Sequence, residues 1–399
     1  MNNTIVLTDP DAQSEGSDYV RRARALLPML RDNAFVADRN RRVPDQNITA
    51  LVEEGLIQML APKRFGGDES DFATFLDVSA EIGRGCGSTA WLFGILGTHH
   101  WVLGHFPIDV QEELYDGKNH MFWPRSSAGR GGVAVPVEGG YRVSGHWGFA
   151  SGIDHSDWVG ATAKVEGQDD LTIALIARKS EAEVLDAWFT AGMRGTGSRD
   201  FVLRDVFVPK ARTMRLAELE AGDTPGSRSL HQFRGLKAPF YVVLSAALVG
   251  PALGLATRAV AEFTSYSRER VVFGSRAATL PTAQMRVGRL HARLSAVRTA
   301  ARLPFEEVDA RIAEGARCDV ELRLRQRRDA AYVVDECARI VDEISDNIGS
   351  RGQLETSVFQ LIQRDIHMIR THAALDYDSA MECYGRCLLG VEIPPSVRF

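Results

Sequence analysis

Residues 120–215 switch the hydrophobic period of this chain from helical to alternating, and the helical period returns after them. Within that window GGVAVPVEGGYRVSGHW, HSDWVGATAKV, LTIALIA and FVLRDVFVP are β-type runs bounded by Gly, Asp and Pro. GMRGTGS, at 192–198, is too rich in glycine for a helix and predicts a tight connection into the last of these strands. Strands gathered in one stretch between two helical regions imply an α+β architecture. The expected organisation is an N-terminal helical domain over 15–118, a central β domain over 119–217 and a C-terminal helical bundle over 230–392.

On the N-terminal side, YVRRARALLPMLRDNAFVADRNRRV has helical spacing, and ALVEEGLIQML predicts a short helix stopped by APKRFGG. FATFLDVSAEIGRGCGSTAWLFGILGTHHWVLGHFP predicts a helix followed by a very apolar one, whose glycines cost helix propensity but let another element approach. On the C-terminal side, Val287, Leu290, Leu294 and Val297 form an apolar stripe on an arginine-rich helix, and DAAYVVDECARIVDEI repeats the habit. Residues 239–257 (PFYVVLSAALVGPALGLAT) are uncharged over almost a membrane-crossing length. Pro251, Gly254 and the charged helix that follows favour burial inside the bundle instead.

Composition narrows the partners. A net charge of -5 argues against nucleic acid, which calls for a basic stripe. The N-terminal MNNTIVLTDPDAQSEGSD has neither a basic nor an apolar targeting region, and an odd count of 5 cysteines without metal-ligand spacing fits a reducing cytoplasm. No GxGxxG follows a strand, and no Walker, HExxH or GxSxG sequence occurs.

Histidine is the side chain most easily poised near neutral pH, which draws attention to GTHHW and RTHAAL. His99 and His100 are adjacent on a helix and cannot share a face, so one of them points elsewhere. His372 falls in an expected late helix, five residues after His367. Ser126 in FWPRSSAGR and Ser151 in FASG are placed either to cap backbone or to meet a ligand.

Taken together, GCGSTAWL, YRVSGHWGFASGIDHSDW, WFTAGMRGTGSRDFVLRDVFVP, RERVVFG and QRDIHMIRTHAAL resemble the acyl-CoA dehydrogenase superfamily over nearly the whole chain. The fold this implies ends in a four-helix bundle. Dehydrogenases of this fold carry a glutamate base in the late helix; here His372 stands in that place. WPRSSAGR lacks the acid of the usual flavin phrase LTEPxAGSD, and FASGIDHSDW is similar to the FxSGxxHxDW pattern of flavin-dependent monooxygenases.

That branch of oxygenase components implies a set of roles. It takes reduced FAD or FMN from a separate NAD(P)H flavin reductase and uses O₂ through a flavin C4a-hydroperoxide. Ser151 matches the serine at the flavin N5 edge, and one of His99 and His100, with His100 preferred, matches the histidine beside the substrate oxygen. His372 matches the histidine near the flavin C4a position, and Ser126 the residue lining flavin and substrate. Trp147 and Phe149 are expected to wall the isoalloxazine, and Arg268 or Arg270 to contact flavin phosphate across a subunit boundary. The expected reaction is hydroxylation of a phenol or polyketide-type ring by a homotetramer. N-hydroxylation of an amine or amino sugar, and an acyl-CoA dehydrogenase or oxidase, are the alternatives.

Overall fold

The structure, a computed structural model, describes residues 17–394 except His231 and Phe273. The chain opens with α1 (Asp18–Ala25), α2 (Leu27–Asn40), α3 (Asp45–Glu53), α4 (Phe72–Gly83), α5 (Gly87–Leu103) and α6 (Ile108–Tyr115). The first expected helix is split at Leu26, because Pro28 sits in the opening turn of α2, where its missing N–H costs nothing. The second begins earlier than expected, at Asp45 after Pro44, and ends at Glu53. Gly55, at φ +68°, turns the chain out of the helix, so LIQML is a buried series of turns.

The central strands are β1 (Arg125–Ser126), β2 (Ala128–Val137), β3 (Gly140–Ala150), β4 (Trp158–Val165), β5 (Gln168–Arg178), β6 (Glu183–Leu185), β7 (Arg199–Pro209) and β8 (Thr213–Arg215). They form one sheet in the order β6-β7-β3-β2-β4-β5-β8, with β1 parallel to β4. Its core contains Val143, Trp147, Val159, Ala161, Leu175, Phe201 and Leu203. β3 runs antiparallel to β7, and their register shifts between Trp147 and Ala150. Such an irregularity re-aims the residues beyond it. Beyond it Phe149 reaches the surface and Ser151 meets Trp91 of α5.

The chain continues through α7 (Leu216–Ala221), α8 (Pro225–Ser229), α9 (Phe240–Glu269), β9 (Val271–Val272), β10 (Ser275–Arg276), α10 (Pro281–Ala313), α11 (Val320–Ile348), α12 (Val358–Arg370) and α13 (Tyr377–Leu388). α9 packs against α4, α5, α10, α11 and α12 and is the axis on which the two helical regions meet. By length and a mean hydropathy of 1.8 it could cross a membrane, but 89% of that window is buried by protein. Pro251 lacks an N–H and so leaves the carbonyl of Ala247 without its helical donor. That carbonyl lies against Gly94 of α5, where an added Cβ would come within 2.5 Å of it. The small residues of α5 therefore serve close helix packing.

Candidate active site

α5 is buried on every side, yet its burial is uneven. Trp91 (8%), Ile95 (9%) and His99 (6%) keep a little exposure and recur at four-residue steps, so they share one face. His99 Nδ1 lies 2.7 Å from the carbonyl of Trp123, while Trp123 Nε1 donates to the carbonyl of His99 at 3.1 Å. A carbonyl only accepts, so Nδ1 carries the proton and Nε2 presents a lone pair. Burial holds this imidazole's pKa down to about 3, helped by the nearby Arg125 guanidinium.

His100 points the other way. It is 0% exposed, its Nδ1 lies 2.8 Å from Tyr115 Oη, and its Nε2 is enclosed without a hydrogen-bond partner. Adjacent helical positions diverge, so His99, and not the preferred His100, lies on the face of α5 that keeps a little exposure.

At the N-terminal end of that face, Trp91 Nε1 donates to Ser151 Oγ at 3.0 Å. Ser151 Oγ lies 2.7 Å from Ser198 Oγ, which lies 2.7 Å from Thr196 Oγ1; Thr196 Oγ1 donates to the carbonyl of Met193 at 2.9 Å. That carbonyl also accepts from Trp188 Nε1 at 3.0 Å, and the Met193 N–H donates to Asp365 of α12 at 2.6 Å. GMRGTGS is glycine-rich here for a packing reason: a Cβ on Gly192 would lie 1.9 Å from the carbonyl of Arg364. Burial raises the Asp365 carboxyl to about pH 7, against the Met193 N–H and the Arg364 guanidinium, which favour its charge.

Phe149 projects from the end of β3 with 58% of its surface exposed and a φ of +61°. That backbone region is costly for an aromatic residue and persists only where surrounding structure imposes it. Its ring meets Trp188 edge-on at 5.8 Å. Ser126 donates to the carbonyl of Gly148 and accepts from the N–H of Ala128 at 3.1 Å, so its hydroxyl secures the strand end beneath Phe149.

His372 is not within a helix, as expected, but two residues past the end of α12, capping a short 3₁₀ turn. Its Nδ1 accepts from the N–H of Ala374 at 3.2 Å, which leaves the proton of the neutral ring on Nε2. Burial lowers its pKa to about 4. The ring meets Trp91 edge-on at 5.7 Å, so Trp91 lies between His372 and Ser151.

Trp147 does not wall the site. It is 0% exposed, stacked on Phe201 in the sheet core with Nε1 donating to the carbonyl of Thr162, and the β3–β7 register shift between Trp147 and Ala150 separates it from the exposed Phe149. Arg270 donates to the carbonyl of Asn347 and Arg268 is exposed on the last turn of α9; neither bonds to the Ser151 group among the described residues. No cluster of metal-ligating side chains occurs among the described residues. A surface cleft of about 750 Å³ beside Glu113, Trp158 and Arg178 contains none of these site residues.

Sequence reasoning assigned no role to Trp91, Thr196, Ser198 or Asp365. Asp365 did leave a signal: it interrupts the buried stripe Leu361, Ile362, Ile366 and Ile369, a position where an acid needs a reason.

With this geometry in place, the comparisons with known proteins are specific. Residues 22–114 match the family model "Acyl-CoA dehydrogenase, N-terminal domain" and residues 246–377 match "Acyl-CoA dehydrogenase, C-terminal domain". The oxygenase subunit HsaA, a flavin-dependent monooxygenase of Mycobacterium tuberculosis, is 31% identical over 93% of this chain and 94% of its own. The FADH(2)-dependent resorcinol hydroxylase oxygenase component of a Rhizobium species is 30% identical over 98% of this chain and 99% of its own. The structure of XiaF from Streptomyces in complex with FADH2 superposes with a TM-score of 0.88, at 25% identity over 95% of this chain and 97% of that one. The chain belongs to the acyl-CoA dehydrogenase superfamily, within its branch of flavin-dependent monooxygenase oxygenase components.

Proposed function

We propose that this protein hydroxylates an aromatic, phenol-bearing substrate with O₂ and reduced FAD or FMN delivered by a separate NAD(P)H flavin reductase, and that it works as a homotetramer. The observation that carries the reading is the Ser151 hydroxyl, held between Trp91 and Ser198, with Trp91 in edge contact with His372 and on the same α5 face as His99, two histidines that burial keeps neutral. The residues fit a reduced flavin: Ser151 has a hydrogen-bonding position to spare, and Phe149 offers an exposed aromatic face near it. When bound, the reduced flavin supplies the electrons and the activation of oxygen.

The chain supplies position and polarity. His99 Nε2 accepts the hydrogen of a phenolic hydroxyl and so orients the ring; with a pKa of about 3 it acts as a neutral acceptor rather than a strong base. His372 carries its ring proton on Nε2, a donor, beside Trp91. Trp91 and Ile95 supply the apolar wall between them, which keeps water from the reacting atoms.

The test is to mix the protein with reduced flavin, add oxygenated buffer in a rapid-mixing spectrometer and time the return of oxidised-flavin absorbance. A long delay, shortened in Ser151→Ala, and hydroxylated product on adding simple phenols support the proposal. Immediate return, with tightly bound oxidised flavin that acyl-CoA bleaches, would overturn it in favour of a dehydrogenase.

A further inference from the structure

The hydroxyls behind Ser151 admit one consistent set of proton positions. Thr196 Oγ1 lies 2.9 Å from the Met193 carbonyl, which has no proton to give, so Thr196 donates there. Two oxygens so close without a hydrogen between them would repel. Thr196 has then used its only proton, so in the 2.7 Å contact Ser198 donates to Thr196. Ser198 has likewise used its own, so in the next 2.7 Å contact Ser151 donates to Ser198. An indole N–H only donates, so Trp91 occupies one lone pair of Ser151. What remains to the Ser151 hydroxyl is a single lone pair. It can accept a hydrogen bond and has no proton to offer.

A flavin presents opposite faces of this chemistry in its two states: reduced N5 carries a hydrogen, and oxidised N5 carries a lone pair. We infer that Thr196 and Ser198 are positioning residues that hold Ser151 as an acceptor, so that the site favours reduced over oxidised flavin. The inference rests on the reading above that Ser151 meets the N5 edge. Its anchor is the Met193 peptide, whose carbonyl is fixed by Trp188 and whose N–H is fixed by Asp365. Chains of like-directed hydrogen bonds polarise one another, which strengthens the Ser151 lone pair as an acceptor.

Removing either relay hydroxyl releases the Ser151 proton to point outward. The experiment measures dissociation constants of reduced and oxidised FMN and FAD anaerobically, for the wild type, Ser198→Ala, Thr196→Val and Thr196→Ser, with thermal midpoints alongside. The wild type is expected to bind the reduced form more tightly. In Ser198→Ala and Thr196→Val the oxidised-to-reduced ratio of dissociation constants falls roughly tenfold, the effect of one neutral hydrogen bond lost to one form and gained by the other. Thr196→Ser, which keeps the hydroxyl, retains the wild-type ratio. Both affinities falling together at an unchanged ratio marks a merely structural role and overturns the inference. Failure of the wild type to bind either form overturns instead the flavin reading on which it rests.

Discussion

Replacing Asp365 with Asn tests the anchor of the 193–198 turn through its pH dependence. The carboxyl is enclosed between α12 and that turn, and Asn keeps an oxygen to accept the Met193 N–H while removing the ionisation. Burial raises its pKa from the ordinary 3.8 to about 7 in the folded protein. Between those values the native state holds a proton that the unfolded chain has released. The native state then binds more protons, so this group's contribution to stability declines as pH rises from about 4 and levels off above about 7. At roughly 1.4 kcal/mol per pKa unit, the full span corresponds to about 4 kcal/mol, of which about 2–3 kcal/mol falls between pH 5 and pH 8. Chemical denaturation of wild type and variant, at several pH values and one protein concentration, reads the difference directly, since the other titrating groups cancel. The variant is expected to gain about 2–3 kcal/mol relative to wild type from pH 5 to pH 8. Parallel stability curves would refute the reasoning and place an ionised carboxylate at Asp365 throughout.

His99→Asn is expected to reduce the hydroxylated product formed per flavin oxidised while leaving stability within about 1 kcal/mol, whereas His100→Asn costs stability and spares coupling; product yield and denaturation midpoints separate the two. His99, His100 and His105 all have pKa values lowered to about 3 by burial, so below about pH 6.5 the unfolded chain takes up protons that the native state refuses. Stability therefore falls as the solution is acidified, and His105→Asn makes an acid titration followed by circular dichroism shallower. Phe149→Gly relieves a left-handed backbone and is expected to raise stability by roughly 1 kcal/mol while weakening flavin binding, measured by denaturation and titration together. Gly192→Ala forces a Cβ against the Arg364 carbonyl and is expected to cost about 1–3 kcal/mol or more in chemical denaturation, with the Ser151 relay displaced.

The class of fold and the family are written in the amino-acid order alone. The change of period at residues 120–215 is a local property of alternating side chains, and so are the caps, prolines and apolar runs that delimit the helices. Ser151 and His372 stand out as candidates in the sequence because the motifs around them are contiguous in the chain. Which way each residue faces and what it bonds to depend on packing between distant segments. His99 and His100 have the same local sequence, and only the packing of α5 against Trp123 on one side and Tyr115 on the other separates their surroundings. Trp147 and Phe149 sit two apart on one strand, and the register shift between Trp147 and Ala150 sends one into the sheet core and the other to the surface. The relay from Met193 to Ser151 joins a turn and a strand end nearly fifty residues apart, with Trp91 and Asp365 entering from still more distant helices. Its proton directions follow from distances between oxygens, and a distance between residues remote in sequence exists only once the chain has folded.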